Sequence, residues 1–391
     1  MNKVKYLTCK IIIYLFNCLP IKKNKVLLYS YYGSQYSCNP KYITEYILKH
    51  YSKDRFDLVW AFTDLTSQNS IDDFRKVRMM SLKYFYELCT AKVVITNFRT
   101  TDLFIKRKNQ YYIQTWHSSL RLKQIEKDAE DSLPKHYVKM AKKDSLKCDL
   151  LLSGCKRSTE IFKRTFWYDG EIFEYGIPRN DLLIRKNHNN KEKLYKKLNI
   201  PSENKVLLYA PTFRKDNKID VYKLDYLKLT EKLERKFGGK WVVLVRLHPH
   251  LIHKSSELIY GSNMIDVTSY DDIQELLLIS DVLITDYSSL MFDFALTNRP
   301  CFLYVPDIDT YTKKERELYF DLEQLPFISV KSIEELLNEV DHYDIEVYRR
   351  KLRIFLHQIG SFENGYACKY LAERVYQVCF DEMRSVLNEA V

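Results

Sequence analysis

Two histidines each close an apolar run: His117 in QTWHSSL and His248 in VRLHPH. A histidine at the carboxyl end of a strand is a candidate proton acceptor or donor, because its reference pKa of about 6.5 lies near neutral pH. Arg246 precedes His248 by two residues, so on an extended chain the two side chains point the same way. An arginine fork suits phosphate oxygens. LLYAPTFRK places Thr212 and Arg214 just past another apolar run. ITDYSS places Thr285, Asp286, Tyr287, Ser288 and Ser289 between a strand-like run and a helical stretch. A helix start offers unpaired N–H groups and partial positive charge, and hydroxyls add donors, which makes an anion site. Ordinary capping by Asp286 or Ser288 accounts for one residue and leaves the hydroxyl cluster over. GIPRNDLL supplies Arg179, Asn180 and Asp181 on a turn, where they either serve a site or cap a helix. The chemistry these types support is gripping phosphate while moving a proton on or off a hydroxyl.

Several other chemistries lack their residues. The chain has 9 Gly in 391 residues, with no Gly-x-Gly-x-x-Gly fingerprint and no Walker-type loop. There is no Gly-x-Ser-x-Gly elbow and no Asp-x-Asp pair to bridge a metal to a diphosphate. HPHLIH gathers His248, His250 and His253 on a turn with no carboxylate beside them, so no metal site is read there. The nine cysteines are odd in number and include no Cys-x-x-Cys, which argues against a disulfide framework and for a reducing compartment. A formal net charge of +11 favours an anionic partner, whether phosphate-rich substrate, acidic membrane or nucleic acid, unless the lysines only solubilise the surface. Aromatics are abundant but form no aromatic-and-basic repeat of the kind that binds RNA.

The elements that must position these residues fall into two similar sets. KVLLYS, FDLVWAFT, AKVVITN, QYYIQTW, CDLLLSG and GEIFEYG alternate with helical stretches, and so do KVLLYAP, WVVLVRL, NMIDVT, DVLITD and PCFLYV. Strands alternating with helices predict a mostly parallel α/β sheet in each half. The polar, Asn-rich RKNHNNKEKLYKKLNIPSENK separates them, which puts the boundary between residues 188 and 189. Two Rossmann-like domains facing a cleft are expected, with ligands outside the carboxyl ends of the strands. The chain should close with an amphipathic helix from Gly365 to about Leu387.

Residues 1–24 carry an apolar stretch interrupted by Lys10 and flanked by lysines. It is short for a bilayer span and lacks a clear small-residue cleavage site. Two readings stand: a helix lying on an anionic membrane surface, or a buried first helix of the domain.

The motifs QTWHSSLRLKQIEKD, YGIPRNDLL, VLLYAPTFR, LVRLHPH and DVLITDYSSLMFDFALTNRPCFLYVPDIDTY, with KVLLYSYYGSQYSCNPKYITEYIL, RELYFDLEQLP and FENGYACKYLAERV, resemble the CDP-glycerol glycerophosphotransferase family. That family comprises teichoic acid primases and polymerases and related capsule enzymes. The resemblance runs from about Lys25 to the last helix. It implies a GT-B architecture, with residues 25–188 serving the acceptor and 189–391 the CDP-linked donor. It implies a peripheral enzyme on the cytoplasmic face of the cell membrane, with a polyprenyl-diphosphate-linked saccharide acceptor, a CDP-glycerol or CDP-ribitol donor, release of CMP, and no cofactor, metal or nucleic acid. The family's motif histidines fall on His117 and His248, its phosphate-binding positions on Arg214, Thr285, Ser288 and Ser289, and its helix aspartate on Asp293.

Thr212, Arg246 and Asp286 join the donor set, and Trp116, Ser118, Ser119, Arg179, Asn180 and Asp181 the acceptor set. Where the family has Trp-His-Gly-Thr-Pro, this chain has Ser118, Ser119 and Leu120 after His117, a change that touches acceptor or polyol choice. RELYFDLEQLPF also lacks the usual Gly-Pro. A GT-B glycosyltransferase using a nucleotide sugar shares the fold and phosphate site. A non-catalytic basic binding protein is the rival outside enzymes.

Overall fold

Residues 26–29, 58–62 and 93–96 are buried without interruption, as strands of a parallel sheet covered on both faces must be. The computed structural model describes residues 3–66, 72–185, 188–214, 219–258, 261–314 and 316–380. It divides into two compact units, one of Met1–His117, Glu126–Asp181 and Phe362–Val391, the other of Ser118–Ile125 and Leu182–Ser361. The first is built on β1 (Lys22–Tyr29), β2 (Asp57–Phe62), β3 (Arg75–Arg78), β4 (Ala91–Thr96), β5 (Tyr111–Gln114), β6 (Leu150–Leu152) and β7 (Glu171–Phe173). The second is built on β8 (Lys205–Tyr209), β9 (Trp241–Val245), β10 (Met264–Asp266), β11 (Val282–Thr285), β12 (Cys301–Tyr304) and β13 (Ile328–Val330).

The strand orders are β3-β2-β1-β4-β5-β6-β7 and β10-β9-β8-β11-β12-β13. The strand pairings are parallel, with Val26 opposite both Leu58 and Val93, and Leu207 opposite both Val243 and Val282. This is the expected α/β architecture, and both sheets reverse direction of winding once, between β1 and β4 and between β8 and β11. Such switch points are where open sheets leave a crevice at their carboxyl ends.

Sequence reading missed β3 and β13. β3 reads Arg-Lys-Val-Arg, and an edge strand tolerates charge on its outer side. Arg75 there bonds Asp57 at 2.7 Å and Glu87 at 2.6 Å.

The first helix, α1 (Lys3–Asn17), buries Cys9 and Ile13 against α3 (Leu82–Thr90) and the core under β1. Its other side exposes Val4, Leu7, Ile11, Tyr14 and Leu15, each more than half accessible. The buried side fits the reading as a first helix of the domain.

The units change over at Asp181/Leu182, short of the expected 188/189; Lys186 and Asn187 lie outside the described residues. The last helix, α14 (Ala367–Phe380), returns to the first unit and packs on α2 (Cys38–His50), β1 and β4. Its expected continuation to Leu387 lies outside the described residues. The physical tie is Asp181, whose carboxylate accepts the N–H groups of Ala367 (3.0 Å) and Cys368 (2.8 Å) at the start of α14. Among the described residues no helix is long and apolar enough to cross a membrane.

Removing the Asp181 carboxylate unpairs two buried N–H donors. Asp181→Ala should lower unfolding free energy by about 1–3 kcal/mol. Urea denaturation measures this, and an unmoved midpoint would show that the cap does not hold α14.

Candidate functional site

In the second unit, β8, β9 and β11 are neighbours that end on the same side, so their following residues converge. Arg246 N–H donates to Tyr209 O at 2.9 Å, and Ala210 N–H to Ile284 O at 3.0 Å, extending the ladder into the loops. Thr285, fully buried, donates its hydroxyl to Ala210 O at 2.7 Å. Asp286 accepts Thr212 N–H at 2.8 Å and Arg214 Nη2–H at 2.9 Å. Arg214 also binds Asp307, with Nε donating to Oδ2 at 2.7 Å and Nη2 to Oδ1 at 3.1 Å. Its third nitrogen, Nη1, donates to Thr212 O.

Burial opposes the Arg214 charge, but Asp307 and Asp286 outweigh it and hold the guanidinium protonated more firmly than usual. Burial likewise opposes the Asp307 carboxylate, and Arg214 and the Tyr287 hydroxyl nevertheless hold its pKa below the ordinary value. Sequence reading gave Arg214 to phosphate. In the structure all three of its nitrogens are engaged within the loops, so it shapes the site.

The groups facing outward differ. Ser288 and Ser289 are half-buried. Ser288 Oγ accepts Leu290 N–H at 3.3 Å, and Ser289 Oγ accepts Leu122 N–H at 3.3 Å, which leaves both hydroxyl protons available to an anion. Thr212 Oγ1 is buried and makes no hydrogen bond. The helix expected to open at Ser288 is α10 (Leu290–Ala295), six residues long, with Ser289 at its N-cap position but making no side-chain cap bond. Asp293 lies inside it, fully buried, accepting Gln274 Nε2–H at 3.2 Å, and so does not face outward with the serines.

His248 is exposed and its Nδ1 accepts His250 N–H at 3.3 Å, which leaves the Nε2 proton pointing elsewhere. Its pKa is pushed down to about 4, first by desolvation and then by His250, Arg246 and Lys123. Two cations, Arg246 and Lys123, beside one imidazole make a place that gains by receiving an anion. Arg246 donates Nη2–H to Tyr270 O at 3.0 Å. Among the described residues no group of three or more His, Cys, Asp or Glu is placed to hold a metal ion.

Residues 118–125 belong to this unit although they follow His117 directly. Tyr319 N–H donates to Leu122 O at 2.7 Å, Gln124 N–H to Glu317 O at 2.9 Å, and Lys123 Nζ to Tyr311 Oη at 3.0 Å. Ser118 and Ser119 are buried, and Ser118 O accepts Arg121 Nη2–H at 3.1 Å.

In the first unit, Trp116 and His117 leave β5. Trp116 adopts a left-handed backbone, φ 49°, costly for a bulky residue and held by several contacts. Its N–H donates to Gln114 Oε1 at 3.0 Å, and its carbonyl accepts Asn39 Nδ2–H at 3.0 Å. Its ring stacks on His117 at 4.8 Å and meets Phe166 edge-on at 5.0 Å. His117 also stacks on Phe98 at 5.7 Å and is half-buried.

Arg179, Asn180 and Asp181 are nearly inaccessible. Arg179 N–H donates to Asn39 Oδ1 at 3.1 Å, and Asn180 Nδ2–H to Glu363 Oε1 at 2.9 Å. They join Trp116, through Asn39, to the returning C-terminal segment. Asn39 carried no signal in sequence, since its partners lie 77 and 140 residues away. Asp307 did carry one: it follows the apolar run CFLY, as the rule about carboxyl ends requires.

A family model described as CDP-Glycerol:Poly(glycerophosphate) glycerophosphotransferase matches residues 11–377. The chain is 35% identical over 372 residues to the teichoic acid poly(glycerol phosphate) polymerase of Staphylococcus epidermidis, covering 91% of this chain and 51% of that protein. Against the protein of the same name from Bacillus spizizenii it is 33% identical, covering 93% of this chain and 95% of the other. It thus spans about half of the first relative and nearly all of the second. A solved structure of the wall teichoic acid polymerase TagF matches with a TM-score of 0.84 at 31% identity, covering 96% of this chain and 95% of that one.

Arg214→Ala leaves two carboxylates without their cation and should lower stability by about 3–5 kcal/mol in urea denaturation. A loss near zero would mean the carboxylates are solvated. For His248, NMR should find a midpoint near 4, rising in Lys123→Met. Between the ordinary 6.5 and 4 the unfolded chain binds more protons, so the protein should lose stability as pH falls through that window. A midpoint at 6.5 would show that the cations do not converge.

Proposed function

The chain belongs to the CDP-glycerol:poly(glycerophosphate) glycerophosphotransferase family, and from that premise we propose that it transfers glycerol phosphate from CDP-glycerol to a hydroxyl of a membrane-linked precursor, releasing CMP. The observation that carries this reading is the set of anion-directed groups at the β8/β11 switch point, Thr212, Ser288 and Ser289 with the neighbouring Arg246 and His248. These would grip the donor's diphosphate. Arg214, Asp286, Asp307 and Thr285 hold the loops that present them. Catalysis of phosphoryl transfer rests mainly on such positioning and charge stabilisation.

His117 takes the proton from the acceptor hydroxyl as its oxygen attacks the phosphorus that bears the polyol. The new P–O bond forms as the P–O bond to CMP breaks. His248, neutral at pH 7, donates its Nε2 proton as a hydrogen bond to the leaving phosphate. No metal or cofactor enters this scheme.

We place the chain peripherally at the membrane's cytoplasmic face, a reading that the exposed face of α1 supports. Its exposed Val4, Leu7, Ile11, Tyr14 and Leu15 recur at helical spacing, with Lys3 and Lys5 exposed on the same helix. An apolar face rimmed by lysines suits an anionic leaflet. The second reading, ribitol phosphate transfer, has a relative in the teichoic acid ribitol-phosphate primase of Bacillus spizizenii, 27% identical over 372 residues. The lower identity places it behind glycerol.

Thermal unfolding with CDP-glycerol, CDP-ribitol, CMP and UDP-sugars tests the donor. The donor should raise Tm in proportion to ligand over Kd. A rise with UDP-sugars alone would make this a glycosyltransferase. His117→Ala should slow transfer by about 10²–10⁴-fold while donor binding is kept; full turnover in that variant would remove His117 from the chemistry.

A further inference from the structure

The second unit has a cavity at the amino ends of its strands, away from the anion-directed groups. Lys205 opens β8, Trp241 opens β9, and Asp281 and Pro300 stand one residue ahead of β11 and β12. With the end of α8 (Tyr226–Phe237) and the start of α13 (Ile345–Gln358) they line a space of about 390 Å³. Ligands of open parallel sheets bind at the opposite, carboxyl ends, so the donor chemistry leaves this cavity unexplained.

Its charge is unbalanced. Lys205, Lys236, Arg299 and Arg349 line it against one carboxylate, Asp281. That carboxylate is already engaged: Oδ2 accepts Val206 N–H at 2.8 Å, and Oδ1 lies 3.8 Å from Lys191. Among the described residues, Lys205, Lys236 and Arg299 form no ion pair. Their protons go to backbone carbonyls: Lys205 Nζ donates to Phe237 O, Lys236 Nζ to Asp341 O at 2.8 Å, and Arg299 Nη1 and Nη2 to Leu278 O and Leu277 O at 3.0 and 2.8 Å. Arg299 thereby caps the end of α9 (Ile273–Ile279), where a cation is favoured. Capping accounts for neither lysine. Desolvation also pushes the Arg299 pKa down to about 10 despite Asp281 and Tyr195, as befits a cation short of counter-charge.

Rings form the apolar wall. Trp241 and Tyr343 are buried, and Phe237 meets both, with ring centres 6.2 and 5.7 Å away. The buried Tyr343 hydroxyl has no hydrogen-bond partner. Burial raises its pKa, so it stays protonated, a donor lacking an acceptor.

We propose that this cavity binds a phosphoester, its phosphate among Lys205, Lys236 and Arg299 and its carbon body against the Trp241 and Tyr343 rings. A phosphate group carries its charge on several oxygens and can meet cations from several elements at once. The backbone carbonyls already hold those cations in place, so little side-chain ordering remains for the ligand to impose. Soluble phosphate esters and anionic phospholipid headgroups share this chemistry. The inference is independent of the transferase reading, because no residue of the cavity belongs to the donor or acceptor set.

Fluorine NMR of the full chain carrying 5-fluorotryptophan tests this. The chain has 4 Trp, and Trp241→Phe identifies the Trp241 resonance. That ring opens β9, roughly 16 Å of strand from Arg246, so it reports on the cavity. Glycerol 3-phosphate and dioctanoyl phosphatidylglycerol are the probes, titrated separately, and glycerol is the uncharged control. A phosphoester should shift the resonance saturably and glycerol should not. Tighter binding of the lipid identifies a headgroup site, and tighter binding of glycerol 3-phosphate a site for a soluble ester. Lys205→Met and Lys236→Met should each weaken that binding by about tenfold, while Lys236→Arg keeps it. Both methionine variants should keep the parent urea midpoint, since neither lysine holds a carboxylate. Lys236 is exposed, so its variant carries the test alone if Lys205→Met unfolds. The proposal falls if neither phosphoester moves the resonance, if glycerol moves it as far, or if the folded methionine variants bind as the parent does.

Discussion

A guanidinium shut away from water must find its counter-charges in the protein, and at Arg214 this requirement organises the carboxyl ends of three strands. Asp286 comes from the end of β11 and Asp307 from the end of β12, while Arg214 itself follows β8. Tyr287 donates to Asp307 at 2.9 Å and stacks on Tyr311 at 3.8 Å, and Lys123 reaches Tyr311 from the segment behind His117. Buried ion pairs of this kind add little net stability compared with apolar packing. What they supply here is a fixed loop geometry, with hydroxyls and a neutral imidazole left at its edge.

The first unit meets the same problem with a similar arrangement. Arg99 is buried between Glu126 at 3.1 Å and Asp144 at 3.3 Å, with its guanidinium 3.6 Å from the centre of the Phe166 ring. Phe166 in turn abuts Trp116, whose left-handed backbone turns the chain at His117. In both units an internal cation paired with two carboxylates lies behind a strand-end turn. Rigid support of this sort lets a strained or hydroxyl-rich loop hold one shape before any ligand arrives.

Much of this was legible in the chain itself. Continuous apolar runs announced the strands, and the residues just after them proved to be those gathered at the carboxyl ends. Ser288, Ser289 and His248 were readable because the outward-facing groups lie within a few residues of a strand end. Sequence spacing does not distinguish a guanidinium that faces outward from one enclosed by two carboxylates, so Arg214 and Arg246 looked alike. Arg179, Asn180 and Asp181 read as surface chemistry because their partners, Asn39, Glu363 and the start of α14, are distant in sequence. The short edge strand β3 gave no apolar run, since an edge has one side that need not be buried.

The path of the backbone sets a limit of another kind. It passes from one unit to the other at 117/118, 125/126, 181/182 and 361/362. A single recombination event near the middle of such a gene exchanges neither half intact. The incoming second half would meet a foreign 118–125 and would leave its own α14 to cover a sheet it did not evolve beside. Exchange of one unit as a whole would need several crossovers, and residues 118–125 would have to travel with the second unit.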